Sequence, residues 1–325
     1  MSEAKRVLVI DALNMYFRAY IVDPSLSTNG EPIGGIKGFI KILQKMCREM
    51  KPDQIVICWD GAGGSNKRRA QNKNYKSGRK PIRLNRSVRN MSLDEETENK
   101  IWQQTELFGL LNHMPIIQFI FPEVEADDVI SAVVQAPAYE GWQKVIISSD
   151  KDFLQLLSSD DVVLYRPIQK QFLNRLRVIE DYGIHPTNFA MARAMVGDPS
   201  DNLAGIRGIG LPTVSKRLPF LKEEKSFTFS DIYEHCEKTE NKLKIHTNIL
   251  ENKAVIEDNY KLMQLYSPSI SVQSKEKIKY TLENADMGFN KTGVVKTMYE
   301  IGFGELNWSD LAAVLRRISL ENSGN

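Results

Sequence analysis

Cysteine is scarce in this chain, and the three present, Cys47, Cys58 and Cys236, lie far apart and are odd in number. No CxxC pair exists, so neither a disulfide framework nor a zinc ribbon is suggested, and a reducing compartment is the simplest setting. Histidine is equally sparse: His113, His185, His235 and His246 are scattered and lack nucleophile partners at a recognisable spacing. Long apolar runs are missing too. No stretch of about eighteen consecutive apolar residues occurs, the length that a membrane-spanning helix needs. Lys5 and Arg6 precede a run of only four apolar residues, Val7 to Ile10, which is too short for a secretory signal. The expected setting is cytoplasmic, with no membrane partner.

A large excess of charge is also lacking. The formal net charge of +2 does not by itself announce a nucleic-acid binder. Its distribution is more informative. Between Ser65 and Asn90 stand ten Lys or Arg residues and no Asp or Glu, and Asp94 to Glu98 then swings acidic. Such a block reads as a solvated segment facing anions.

The first half alternates short β-branched runs with helical patterns. Strands are expected at Arg6–Ile10, Gln54–Cys58, Lys144–Ile147 and Val162–Tyr165, with a further apolar run at Pro115–Phe121. Helices are expected at Ile36–Met50, Leu93–His113, Ala126–Gln135 and Asp152–Leu157. Strands separated by helices imply an α/β fold with a central, mostly parallel sheet covered on both faces. From about Asp181 the β signals fade. Residues 1–180 therefore read as an α/β core and 181–325 as a helical region, across a soft boundary. Pro186 and Thr187 open one helix there and Gly197 closes it.

Acidic residues recur where the strands end. Asp11 follows Arg6–Ile10 directly, and Asp60 follows Gln54–Cys58 with one Trp between. Asp150 and Asp152 follow the Lys144 strand, while Glu125, Asp127 and Asp128 follow the third apolar run. Asp198 and Asp201 lie beside a glycine-rich turn. Ligands of open parallel sheets sit beyond the carboxyl ends of the strands, so this recurrence points to one site. Gathered carboxylates repel unless a cation neutralises them, and hard oxygen donors select Mg²⁺ or Mn²⁺. Two such ions suit in-line phosphoryl displacement. Taken singly, each residue also reads as a helix N-cap or a first-turn acid, Asp152 above all.

The glycine-rich turn, Gly205-Ile-Arg-Gly-Ile-Gly210, is expected between two helices with no strand before it, which excludes a dinucleotide fingerprint. Backbone N–H groups there suit a sequence-independent grip on phosphates, and a plain tight corner is the alternative. In the basic segment, Lys76 and Arg79 are candidates to orient and neutralise a scissile phosphate, and most of the other charges read as a solvated loop.

These residues together resemble the 5′ nuclease (flap endonuclease) family, which includes the 5′→3′ exonuclease domain of bacterial DNA polymerase I and stand-alone bacteriophage 5′ exonucleases such as the phage ribonuclease H. Asp11-Ala-Leu-Asn-Met-Tyr-Phe-Arg-Ala-Tyr20, Gly34–Phe39, Cys58-Trp-Asp60, Tyr75-Lys-Ser-Gly-Arg79, Glu125-Ala-Asp-Asp128, Ser149–Leu156 and Gly197–Asn202 stand in the family's order. The match covers roughly residues 5–220, with a weaker echo at Asn259–Met263. Two departures occur. Asn66-Lys67-Arg68 stands where the family often has an aromatic-Arg pair, and Leu211-Pro212 where a basic residue is commoner.

The resemblance implies a PIN-like core, a basic helical arch at about 62–93 and a helix-three-turn-helix at about 187–220. It implies metal ligation by Asp11, Asp60, Glu125, Asp127, Asp128, Asp150, Asp152 and Asp201 with Asp198 close by, and Lys76 and Arg79 in the arch. Arg68, Tyr75, Gly205, Arg207, Gly208, Gly210 and Lys216 become the expected DNA contacts, with a potassium ion at the turn. The implied activity is Mg²⁺-dependent cleavage (Mn²⁺ substituting) near 5′ ends of flap DNA or RNA–DNA hybrids. It serves primer removal in replication, in a bacterial cytoplasm or phage-infected host, alongside partners such as a single-strand binding protein or clamp. Two rivals are a PIN-type ribonuclease, which normally lacks the glycine turn, and a non-catalytic structure-selective DNA binder, which would be missing carboxylates. A haloacid-type phosphatase is excluded because Leu13 stands where its second Asp is needed.

Overall fold

The apolar runs become strands because they can be buried on both faces. In the computed structural model, which describes residues 4–80, 82–84, 91–240 and 242–322, Val7 to Ile10 and Ile55 to Cys58 are fully buried. Each such aliphatic side chain contributes about 1.5–3 kcal/mol relative to exposure, which explains strands that read as continuous apolar runs. Five strands are parallel: β1 (Arg6–Asp11), β2 (Gln54–Trp59), β3 (Ile117–Ile120), β4 (Gln143–Ile147) and β5 (Val162–Arg166). A short sixth strand, β6 (Gln171–Leu173), joins β5 antiparallel, giving the order β3-β2-β1-β4-β5-β6.

That order places the topological switch beside β1. The chain moves outward from β1 to β2 and β3, then returns to β4 on the other flank of β1. Right-handed crossovers then put the helices on opposite faces. On the outward path lie α1 (Ala12–Val22), α2 (Gly34–Met50), α3 (Asn66–Gln71) and α4 (Leu93–Leu111), and on the return α5 (Ala126–Val134). The start of α4 is fixed by a reciprocal capping box, in which Glu95 N–H donates to Ser92 Oγ and Ser92 N–H to Glu95 Oε2.

The helical half runs through α6 (Arg175–Tyr182), α7 (Pro186–Val196), α8 (Leu211–Arg217), α9 (Phe229–Lys238), α10 (Lys244–Glu251), α11 (Lys253–Met263), α12 (Val272–Asn284), α13 (Lys291–Ile301) and α14 (Ser309–Asn322). No gap in packing marks the boundary near residue 180, because one hydrophobic core runs from Val7 to Ile318. The last helix returns to the sheet, where Arg317 donates to Asp53 Oδ1 at 3.2 Å and to Pro52 O. Among the described residues no helix is long and apolar enough to cross a membrane.

Several local expectations need correction. Asp152–Leu156 is a single 3₁₀ turn rather than an α-helix. The glycine turn is preceded by strand after all. A two-residue hairpin, β7 (Gly197–Asp198) with β8 (Leu203–Ala204), separates α7 from the turn that leads into α8. Residues 81 and 85–90 of the expected arch lie outside the described residues.

Candidate metal centre

Strand register brings the acidic residues together. Asp11 pairs with Cys58, so Asp60 stands two residues beyond it on the neighbouring strand. Ile10 pairs with Ile147, which sets Ser148 opposite Asp11 and Asp150 two residues further on. Ser148 Oγ donates to Asp11 Oδ2 at 2.9 Å, closing the seam between β1 and β4. Asp60 Oδ1 accepts the N–H of Ala126 at 2.7 Å and thereby ties the end of β2 to the start of α5, which carries Asp127 and Asp128. Capping is real as well: Asp11 Oδ1 accepts Asn14 N–H at 3.1 Å, and Asp150 Oδ1 accepts Asp152 N–H at 2.8 Å. For Asp11 and Asp150 the capping role leaves one carboxylate oxygen without a capping bond.

The nine acids divide into two sets. Five are matched by protein cations. Arg68 Nη1 donates to Glu125 Oε2 and, at 2.8 Å, to Asp128 Oδ2. Lys76 Nζ donates to Glu125 Oε1 at 2.6 Å, and Tyr75 Oη to Glu125 Oε2 at 3.1 Å. Arg79 pairs with Asp201, while Arg193 spans Asp152, at 3.2 Å, and Asp198. The other four, Asp11, Asp60, Asp127 and Asp150, make no ion pair among the described residues.

Electrostatics follows this division except at Asp152, which is raised although Arg193 pairs with it. Burial, with the neighbouring charges of Asp60 and Asp150, pushes Asp11 up to about 7. Burial, with Asp150 and Asp11 nearby, pushes Asp127 well above the usual carboxylate range against the pull of Lys76. Asp152 rises to about 7 through burial and Asp150, against the pull of Arg193. For Glu125 burial acts upward, but Arg68 and Lys76 outweigh it and hold the group low. The unmatched set is thus short of positive charge. Among the described residues no three His, Cys, Asp or Glu side chains stand close enough to hold an ion as they now lie. The donor set nevertheless fits a hard divalent cation: it is all oxygen and mutually repelling.

Placement revises the expected DNA contacts. Arg68 is buried, and its Nε donates to Leu262 O at 2.9 Å, so its guanidinium is used inside the protein rather than on a strand. Tyr75 is buried likewise. The segment around Lys76 is docked rather than free. Lys76 N–H donates to Asp201 O at 2.9 Å, Asn202 Nδ2 donates to Asn74 O at 3.1 Å and to Ser77 Oγ at 2.9 Å, and Lys76 itself is held at φ +54°. A non-glycine residue in that region is uncommon, and its neighbours must hold it there.

The glycines of the turn have different reasons. A Cβ on Gly205 would meet Val196 O at 1.8 Å, whereas Gly208 needs its φ of +78°. Gly210 has neither demand and caps α8. Arg207 is exposed in this turn and Lys216 is exposed on α8.

Some contributors were not anticipated. Arg193, on the last turn of α7, holds two acids at once. Asn259 Nδ2 donates to Ala194 O at 3.0 Å and Ala204 O at 2.9 Å, fastening α11 to both sides of the hairpin. Gln155 Nε2 donates to Met263 O at 3.0 Å, and Ser269 N–H to Asp128 Oδ1 at 2.8 Å. Segment 259–269 therefore backs the acidic site, and its sequence signal was the short echo at Asn259–Met263.

Comparison with known proteins agrees with this geometry. A family model described as the 5′-3′ exonuclease, N-terminal resolvase-like domain, matches residues 6–183. The 5′-3′ exonuclease of Aquifex aeolicus is 28% identical over 280 residues, covering 85% of this chain and 86% of that protein. DNA polymerase I of Caldicellulosiruptor bescii is 30% identical over 247 residues, 74% of this chain but 26% of the polymerase, so the chain spans about a quarter of that relative's length. A crystal structure of bacteriophage T5 D15 flap endonuclease with DNA and metal ions superposes with a TM-score of 0.64 at 17% identity, over 92% of this chain and 100% of that one. At that identity the likeness speaks for the fold.

Proposed function

The chain belongs to the 5′-3′ exonuclease family, and from that premise we propose that it is a divalent-metal-dependent nuclease hydrolysing phosphodiesters near 5′ ends of DNA or RNA–DNA duplexes. The observation that carries this reading is the set of four unmatched carboxylates, Asp11, Asp60, Asp127 and Asp150, at the sheet's switch point. These four would hold the cations, Mg²⁺ for preference and Mn²⁺ as a substitute, with the remaining acids arranged around them. Bound there, two divalent ions would supply the positive charge that activates water and offsets charge on the reacting phosphoryl group.

The protein's own groups do the rest. Lys76 and Arg79 now pair with Glu125 and Asp201, and both stand ready to turn to a phosphate as a strand enters. Water's oxygen forms a bond to phosphorus, the P–O3′ bond breaks, and the 5′ phosphate stays on the retained strand. Arg207, Lys216 and the backbone of Gly205–Gly210 grip the duplex without reading its bases, with a potassium ion as the proposed companion of the turn. Flap trimming and RNA-primer removal in replication, in the cytoplasm and beside a single-strand binding protein or clamp, are the tasks this chemistry suits.

Purified protein incubated with a 5′-labelled flap duplex and an RNA-primed DNA duplex tests the proposal. Release of short 5′ fragments in Mg²⁺ and none in EDTA is the expected result. Binding of the flap without cutting in either condition would leave a structure-selective DNA binder in place of the enzyme.

A further inference from the structure

Beside Asp60, on the side facing β3, the surface opens into a pocket of about 370 Å³ lined by Leu13, Trp59, Asp60, Gln104, Thr105, Phe108 and Ile120. Its walls are mostly apolar. Trp59 is fixed by donating its indole N–H to Gln118 Oε1 at 3.0 Å, and its ring centroid lies 5.9 Å from that of Phe108. Leu13 and Phe108 are half-buried, and Ile120 is 49% exposed on the edge strand. The amide of Gln104 and the hydroxyl of Thr105 supply polar groups from α4.

Resting on the nuclease reading above, we infer that this pocket receives one unpaired nucleobase of the substrate strand, next to the phosphate that is cut. Two features choose a base over a phosphate. Asp60, the one charged lining residue, belongs to the cation site, and no Lys, Arg or His lines the pocket to hold a phosphate there. Aromatic and aliphatic walls with an amide and a hydroxyl match a flat ring with a hydrogen-bonding edge, and stacking of this kind tolerates any base. The position supplies the occupant. Asp60 belongs both to the acidic cluster and to the pocket wall, so a phosphate drawn to the cluster brings its own nucleotide to the pocket's mouth. A volume of this size lies in the range of small-ligand sites, about 300–1,000 Å³.

An abasic scan tests the inference. Flap duplexes carrying one abasic residue at each position around the cut are bound to the full chain in Ca²⁺, with Kd read by fluorescence anisotropy. Single-turnover cutting is then followed in Mg²⁺. Wild-type protein is expected to lose about ten-fold in affinity at one position. Phe108→Ala and Ile120→Ala are expected to lose affinity for intact DNA and to show little further loss at that same position. Ile120→Ala guards against misfolding, since its side chain is half exposed. A flat scan, or losses that simply add, would overturn the pocket while leaving the nuclease reading intact. Wild-type protein that neither binds nor cuts the intact flap would bring down the nuclease reading, and the pocket with it.

Discussion

Asp127→Asn is expected to lower flap cleavage by about 10²–10⁴-fold, the several kcal/mol that a lost metal contact costs, while raising the melting midpoint of the metal-free protein. The two effects have one cause. Asp127 makes no hydrogen bond or ion pair among the described residues, and burial with the charge of Asp150 outweighs the pull of Lys76 and pushes its carboxyl well above the usual range. A carboxylate whose folded-state value is raised favours folding at low pH, and that contribution is lost as pH climbs from its unfolded value of 3.8 through the folded one. Asn carries no charge to lose. Melting curves in EDTA should therefore coincide near pH 4 and separate toward pH 8, with the variant the more stable. A helix-start acid kept for structure would give the opposite sign, a loss of about 1 kcal/mol on replacement.

Arg68→Met is expected to destabilise the fold by about 3–5 kcal/mol, because it leaves buried carboxylates without their cation. Arg68 bridges Glu125, Asp128 and the carbonyl of Leu262, three groups with no alternative Arg within the network. Glu125 retains Lys76, but Asp128 keeps only the N–H of Ser269. Urea unfolding of Arg68→Met, Asp128→Asn and the double variant measures this. The double variant should recover part of the loss, since removing Asp128's charge removes its need for a partner. Full additivity would mean that the two groups are not coupled as the distances imply.

The contrast between these two aspartates was beyond sequence reading. Asp127 and Asp128 are neighbours on one helix turn, and nothing local distinguishes them. Whether a carboxylate is matched depends on Arg68, some sixty positions away, whose burial no periodicity reveals. Arg68 lay within a ten-cation block that reads as solvated, and tertiary contacts from Leu262 overrode that pattern. The strands were legible because both faces of the sheet are covered, which leaves unbroken apolar runs such as Arg6–Ile10. Their order then placed Asp11, Asp60 and Asp150 at one end by register alone. Helix α1 carries no separate start signal in the sequence although Met15, Tyr16, Ala19 and Tyr20 mark its buried face, because its N-cap is the last strand residue, Asp11, with no intervening turn. The antiparallel β6 is three residues long and carries Gln171, too little pattern to distinguish it from loop. The glycine motif was legible as a turn, yet the hairpin before it rests on two-residue strands and a Gly197 at φ +75°, features that appear only in the backbone.

The central claim is that Asp11, Asp60, Asp127 and Asp150 form the metal site, and anomalous diffraction from crystals soaked in Mn²⁺ tests it most directly. The expected result is anomalous density bounded by these four carboxylates in the wild-type protein, weakened or absent in Asp127→Asn. Density elsewhere, beside Asp198 and Asp201 alone or far from the ends of β1 and β4, would contradict the assignment.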